Sequence, residues 1–195
     1  MPEIEYFYSA HSAFAYLGSA RFMEIAKAAE RTIVHKPYEL TRGIAGVGSV
    51  PTRERPQNHR AYYFRREIDR WSEHRNAPVM DGYPEHHWAD MTLSNGMLIA
   101  ASLQGANVDA LAHAMLQGHW RDDADLSNEA TLQALAQSVD VDPAPLLAAA
   151  LSDDVHVLVA GDGTAAAEAA SKIAGVTKVV AASDAAYSHQ IAESI

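Results

Sequence analysis

Residues 5–18 read "EYFYSAHSAFAYLG", and the reading of this stretch decides the fold. Before it, "EIEYFY" at 3–8 alternates. Ile4, Tyr6 and Tyr8 point one way, and Glu3, Glu5 and Phe7 the other, which is a strand pattern. From Ser12 the period becomes helical. Phe22, Ile25, Ala26 and Ala29 fall at i, i+3, i+4 and i+7, with Phe14 and Gly18 upstream on the same stripe. Ser12 stands at the junction as a natural N-cap. "TIVHKPYEL" at 32–40 is a second strand, so strand, helix and strand follow within about forty residues as a βαβ unit.

Outward from this unit the chain changes character. "GIAGVGSVPTRERPQ" is punctuated by Gly and Pro and reads as loop. "HRAYYFRREIDRWSEHR" is an amphipathic helix with Ala61, Phe64, Ile68 and Trp71 on one face. "NAPVMDGYPEHH" is loop again. "MLIAASL", "VDALAHAMLQGHW", "NEATLQALAQSV" and "PAPLLAAALS" are helical, the last with Asp142 as N-cap and Pro143 at its first position. "VHVLVA" at 155–160 and "TKVVAA" are strands, and each precedes a helix. The expected organisation is a first βαβ over 1–42, an all-helical insertion over 43–152 and a C-terminal βαβα segment over 153–195. The fold class is α/β, because neither βα piece alone buries both faces.

Composition excludes several functions. The 195 residues carry a formal charge of -10 and no basic run, which disfavours nucleic acid. The acidic, amphipathic start is unlike a secretory signal, and no apolar run approaches the roughly 18 residues of a membrane span. The expectation is a cytoplasmic protein that binds neither nucleic acid nor membrane. The chain has no cysteine, so disulfides, zinc-thiolate sites and CxxC chemistry are absent from these residues.

A serine at a helix start is most simply a cap. The same place presents unpaired N–H groups and a partial positive charge, so its hydroxyl can also donate to an anion such as a thiolate. No GxSxG elbow surrounds Ser12, which weighs against a nucleophilic triad. His86 and His87 are adjacent, His113 and His119 lie elsewhere, and no HExxH occurs, so no metal site is expected. His86, His87 and Trp88, in a Pro-flanked loop with Tyr83, are candidates for the far wall of a pocket facing Ser12. That pocket would hold a flat aromatic acid. Arg55 is a candidate for its carboxylate. "AGDGT" lacks the third glycine of a dinucleotide fingerprint.

The stretch at 5–18 resembles the opening of the 2-hydroxychromene-2-carboxylate isomerases and kappa-class glutathione transferases, which read F-Y-x-x-x-S-P-x-S-x-L. "HRAYYFRREIDRWSEHRNAPV", "YPEHHWADMTLSN" and "LAHAMLQGHWRDDADLSNEATL" resemble the helical insertion of one branch of these isomerases. The resemblance implies a thioredoxin-like (DsbA-like) sheet domain with a large helical insertion. It implies glutathione as cofactor, held at Ser12 and His11, with Ser12 on the family's catalytic serine. It implies isomerisation of a small aromatic, pyruvate-like acid, with a kappa-like transferase as the alternative. A homodimer is the candidate assembly. Ala13 and Ala15 stand where the family carries Pro and a second Ser. No proline follows Pro145, where the family carries a cis-proline strand, and a diverged tail with "AGVTKVVAASD" in that place is one alternative. Residues 155–194 instead resemble the start of the electron-transfer flavoprotein alpha subunit, around "KIAGVTKV". A join near residue 153 or 154, in a non-catalytic hybrid, is the further alternative.

Overall fold

The computed structural model describes residues 2–39, 50, 54–152 and 155. Strand β1 (Glu3–Tyr8) leads through a tight turn into helix α1 (Ala13–Ala28), and the chain returns in β2 (Thr32–Pro37). The two strands pair in parallel, with Tyr6 opposite His35 and Tyr8 opposite Pro37. The expected βαβ unit is therefore present. The second strand is Thr32–Pro37, shorter than the 32–40 expected, and the Tyr38 N–H just beyond it still donates to the Tyr8 carbonyl at 2.9 Å.

The helical block follows. A wide π-type turn over His59–Phe64 opens into α2 (Arg65–Arg75), where an uninterrupted α-helix from residue 59 was expected. Helix α3 (Thr92–Gln104) starts five residues before "MLIAASL". Its early turns are buried although Ser94, Asn95 and Gly96 are polar or small, so hydropathy hid them. Helices α4 (Val108–Asp122), α5 (Glu129–Gln137) and α6 (Pro143–Ala150) complete the block. Asn107, Asn128 and Asp142 cap them by accepting first-turn N–H groups. Of the strand expected at 155–160 only Val155 is described. It is buried and its N–H donates to the Ser152 carbonyl. The "GDGT" stretch and the remaining C-terminal elements lie outside the described residues, as does most of the loop after β2.

The core gathers Leu98, Leu111, Met115, Leu116, Trp120, Leu132 and Leu146 with Tyr16 and Ile68, all essentially fully buried. Helix α1 contributes Ala13, Tyr16, Leu17 and Ala26 to buried packing. Of the expected stripe only Ala26 joins that buried face. Phe14 and Ile25 are exposed, and Phe14, Gly18 and Phe22 line a cavity instead. The buried face packs on the helical block, where Ser19 reaches His113 at 2.7 Å.

Helices α3 and α6 touch closely at Gly96. A Cβ there would run into the Ala150 carbonyl oxygen and sit 3.0 Å from its carbon. At Gly18 in α1 a Cβ would meet nothing within 4 Å. Both glycines are helical, so alanine gains up to about 1 kcal/mol of propensity at each. At Gly96, overpacking against rigid backbone costs about 1–3 kcal/mol and wins. Urea unfolding should show Gly96→Ala destabilised and Gly18→Ala neutral or stabilised. Equal behaviour of the two would contradict the α3–α6 contact.

Candidate functional site

The turn between β1 and α1 sorts its side chains to opposite sides. Ser12 caps α1. It has extended backbone angles and its Oγ accepts the Ala15 N–H at 3.2 Å. That use occupies a lone pair and leaves the hydroxyl proton free. No acceptor among the described residues takes it. Ser12 is half-buried on the wall of a cavity of about 300 Å³. The other walls include Tyr6, Tyr8, Ser9, Phe14, Phe22 and Tyr38. The cavity is thus largely aromatic, with a hydroxyl and a helix N-terminus at one side.

Tyr8 is oriented from behind. The Asp109 carboxylate lies 2.7 Å from His35 Nε2, and His35 Nδ1 lies 3.0 Å from the Tyr8 hydroxyl. A carboxylate accepts, so Nε2 carries the imidazole proton and Nδ1 accepts from Tyr8. Burial also pushes the Tyr8 phenol well above its usual range. Tyr8 therefore presents a neutral ring, not a titrating group, to the cavity.

His11 points the other way, into the helical block, and is 2% exposed. Its carbonyl accepts the Trp120 indole N–H at 2.9 Å, and its Nδ1 donates to the His87 carbonyl at 3.1 Å. Its ring stacks on His119 with centroids 4.4 Å apart. His119 Nδ1 donates to the Ala124 carbonyl at 3.0 Å, and its Nε2 lies 3.0 Å from His87 Nδ1. Carbonyls only accept, so the two backbone partners fix the protons of His11 and His119 on Nδ1. Both Nε2 lone pairs then face inward. His119 Nε2 accepts from His87, while His11 Nε2 is buried without a hydrogen-bond partner.

The structure thus brings together His11, His87 and His119, a group that sequence reasoning missed. A signal existed for His119, which falls on the buried stripe Leu111, Ala112, Met115, Leu116 and Trp120 of α4. Nothing local marked His11 or His87 as its partners.

The other candidates divide. Tyr83, His87 and Trp88 cluster, with Tyr83 5.4 Å from the His87 ring and 6.0 Å from Trp120. They gather around the histidine group rather than on the Ser12 cavity, whose walls do not include them. His86 is exposed and turns towards Asp125, 3.8 Å away. Arg55 donates to the Val50 carbonyl at 3.0 Å and is not among the cavity walls. The expected pocket roofed by the 83–88 loop is therefore corrected to one between β1, α1 and Tyr38. The 83–88 loop is drawn instead into the core by His87.

With this geometry in place, comparison with known proteins gives the class. The chain belongs to the DSBA-like thioredoxin domain family, whose model matches residues 3–186. Among solved structures it resembles a 2-hydroxychromene-2-carboxylate isomerase, with a TM-score of 0.62 and 17% identity over 78% of this chain and 73% of that one. It also resembles a candidate protein disulfide isomerase from Nitrosomonas europaea, with a TM-score of 0.63 and 15% identity over 82% and 74% of the two chains. These likenesses show the fold. A segment of 49 residues is 55% identical to the electron transfer flavoprotein subunit alpha of Pseudomonas aeruginosa, and spans 16% of that subunit. Only residues 1, 2 and 187–195 lie outside the family match, so that segment overlaps it. No helix among the described residues is long and apolar enough to cross a membrane.

The three imidazoles are neutral at pH 7. Burial, then the neighbouring His119, lowers His11 from 6.5 to about 4. Burial, then His119 and His11, lowers His87 to about 3, and burial lowers His119. The unfolded chain takes up these protons near pH 6.5, whereas the folded chain resists until its lowered values. Stability is therefore full above about pH 6.5 and falls as pH drops towards about 4, by up to about 1.4 kcal/mol per pH unit for each of His11 and His87, with His119 adding in the same direction. Urea midpoints in chelator-containing buffer at pH 7.5, 6 and 5, round values chosen about this window, should decline steadily. A flat profile would contradict the buried neutral cluster.

Proposed function

We propose that the protein is a glutathione-dependent isomerase acting on an aromatic acid of the 2-hydroxychromene-2-carboxylate type. The observation that carries this reading is the Ser12 hydroxyl. It caps α1 through a lone pair and keeps its proton for a ligand in the aromatic cavity. Cap and ligand roles are compatible, because a hydroxyl accepts and donates at once.

The site suits a thiolate at its polar end. A donated hydrogen bond and the helix N-terminus both favour the charged sulfur. Glutathione, when bound, supplies the sulfur nucleophile that this cysteine-free chain lacks. The aromatic rings Tyr6, Phe14, Phe22 and Tyr38 suit the flat body of an aromatic acid. The described walls hold no cation for the carboxylates of either molecule, so binding of those ends is left to residues outside them. Thiol–disulfide exchange by the chain's own thiols is excluded, since it needs a thiolate and the sequence has no cysteine.

A second reading, a non-catalytic hybrid, is favoured by one observation, the 49-residue match to the flavoprotein subunit. The two readings part on the state of bound thiol. A hydrogen bond to a charged group contributes about 1.5–3 kcal/mol, or roughly one to two pKa units. Ultraviolet titration of glutathione thiolate on the protein should show a depressed pKa that Ser12→Ala raises by about that amount. The same variant loses about 1 kcal/mol of stability as a cap. A lost cap with an unchanged thiol pKa would leave the hybrid reading.

A further inference from the structure

We propose that His11, His87 and His119 form a binding site for a divalent first-row transition metal ion of the zinc class, which ties the β1–α1 turn to the helical block. Three neutral nitrogens converge there, all within 4.8 Å of one another. Tetrahedral zinc with bonds of ~2.1 Å places its ligand nitrogens ~3.4 Å apart. His87 Nδ1 and His119 Nε2, at 3.0 Å, are already near that spacing.

The tautomers agree with a metal site. A ligating histidine commonly donates its other N–H to a backbone carbonyl, which fixes the ring. His11 does so to His87, and His119 to Ala124. His11 Nε2 is the second, independent sign. It is a lone pair in a residue only 2% exposed, and no group among the described residues satisfies it. Such an atom is costly unless something binds it. Of the three tautomers only that of His87 changes on metal binding. His87 releases its bond to His119 Nε2 and moves its proton from Nδ1 to Nε2, so no net proton is lost, and the stacked His11 and His119 rings tilt to aim both lone pairs at one ion. His87 is half-buried and gives the ion a route in. Asp125 lies within electrostatic reach of both His11 and His119 and partly balances the added charge.

Three imidazoles suit zinc, copper, nickel and iron, and leave one position for water. Ser12 faces the cavity on the other side of the turn, so the ion acts on the fold and not on the thiol. This inference does not depend on the proposed isomerase activity.

The test uses untagged, chelator-stripped full chain titrated with Co²⁺. The expected result is one ion per chain with the intense visible bands of a four-coordinate site. His87→Gln should weaken it by roughly 100-fold or more, and His86→Gln should leave it unchanged. Should His87→Gln fail to fold, long-range ¹H–¹⁵N histidine spectra of the unmodified chain with Zn²⁺ replace it. There the three imidazoles should shift together at one equivalent. No 1:1 binding, a pale six-coordinate spectrum, equal affinity in His87→Gln, or shifts confined to other histidines would each overturn the proposal.

Discussion

The bond from the Trp120 indole to the His11 carbonyl is the constraint on which this structure turns. It joins the first βα turn to a helix 109 positions later, and both partners are buried. A buried indole N–H must find an acceptor, so it fixes the turn's backbone against α4. With the backbone fixed, the side chains have no freedom to exchange sides. His11 enters the block, and Ser12 faces the aromatic cavity. Tyr16, one turn along α1, adds a bond from its hydroxyl to the Pro78 carbonyl, and Met80 N–H donates to the Trp120 carbonyl. The loop before α3 is thereby held to the same two elements.

The parts of the fold legible in the sequence are those with strong local signals. Alternation marked β1, and Asp142 with Pro143 marked the start of α6. Ser12 was legible as a cap because a cap is a local property of chain direction and side-chain type. The start of α3 was not, because Ser94, Asn95 and Gly96 are buried by close helix approach rather than by hydropathy. The stripe on α1 was read in its period but not in its partner. Period tells that a face is apolar and not whether it meets a core or a cavity. The histidine cluster was illegible for a similar reason. His11, His87 and His119 come from a turn, a loop and a helix, and the long-range bonds of His11 to Trp120 and to the His87 carbonyl bring their rings together.

The same turn explains how a thioredoxin-type domain can work without cysteine. Thiol chemistry in such folds needs an anion stabilised at a helix N-terminus, and the helix supplies this whatever residue caps it. A serine there keeps the electrostatics and gives up the nucleophile. Under the proposed function the sulfur comes from a ligand, and the aromatic cavity beside Ser12 has room for a small group next to it. The fold is shared with an isomerase and with a candidate disulfide isomerase, so the architecture alone does not fix the chemistry.

The proposed function requires the Ser12 hydroxyl to face a thiol ligand in the cavity between β1, α1 and Tyr38. A crystal structure of the chain with saturating glutathione tests it most directly. The account predicts the sulfur within hydrogen-bonding distance of Ser12 Oγ, on the side away from His11. Glutathione seated elsewhere, or a sulfur out of reach of Ser12 with the hydroxyl serving only Ala15, would contradict it.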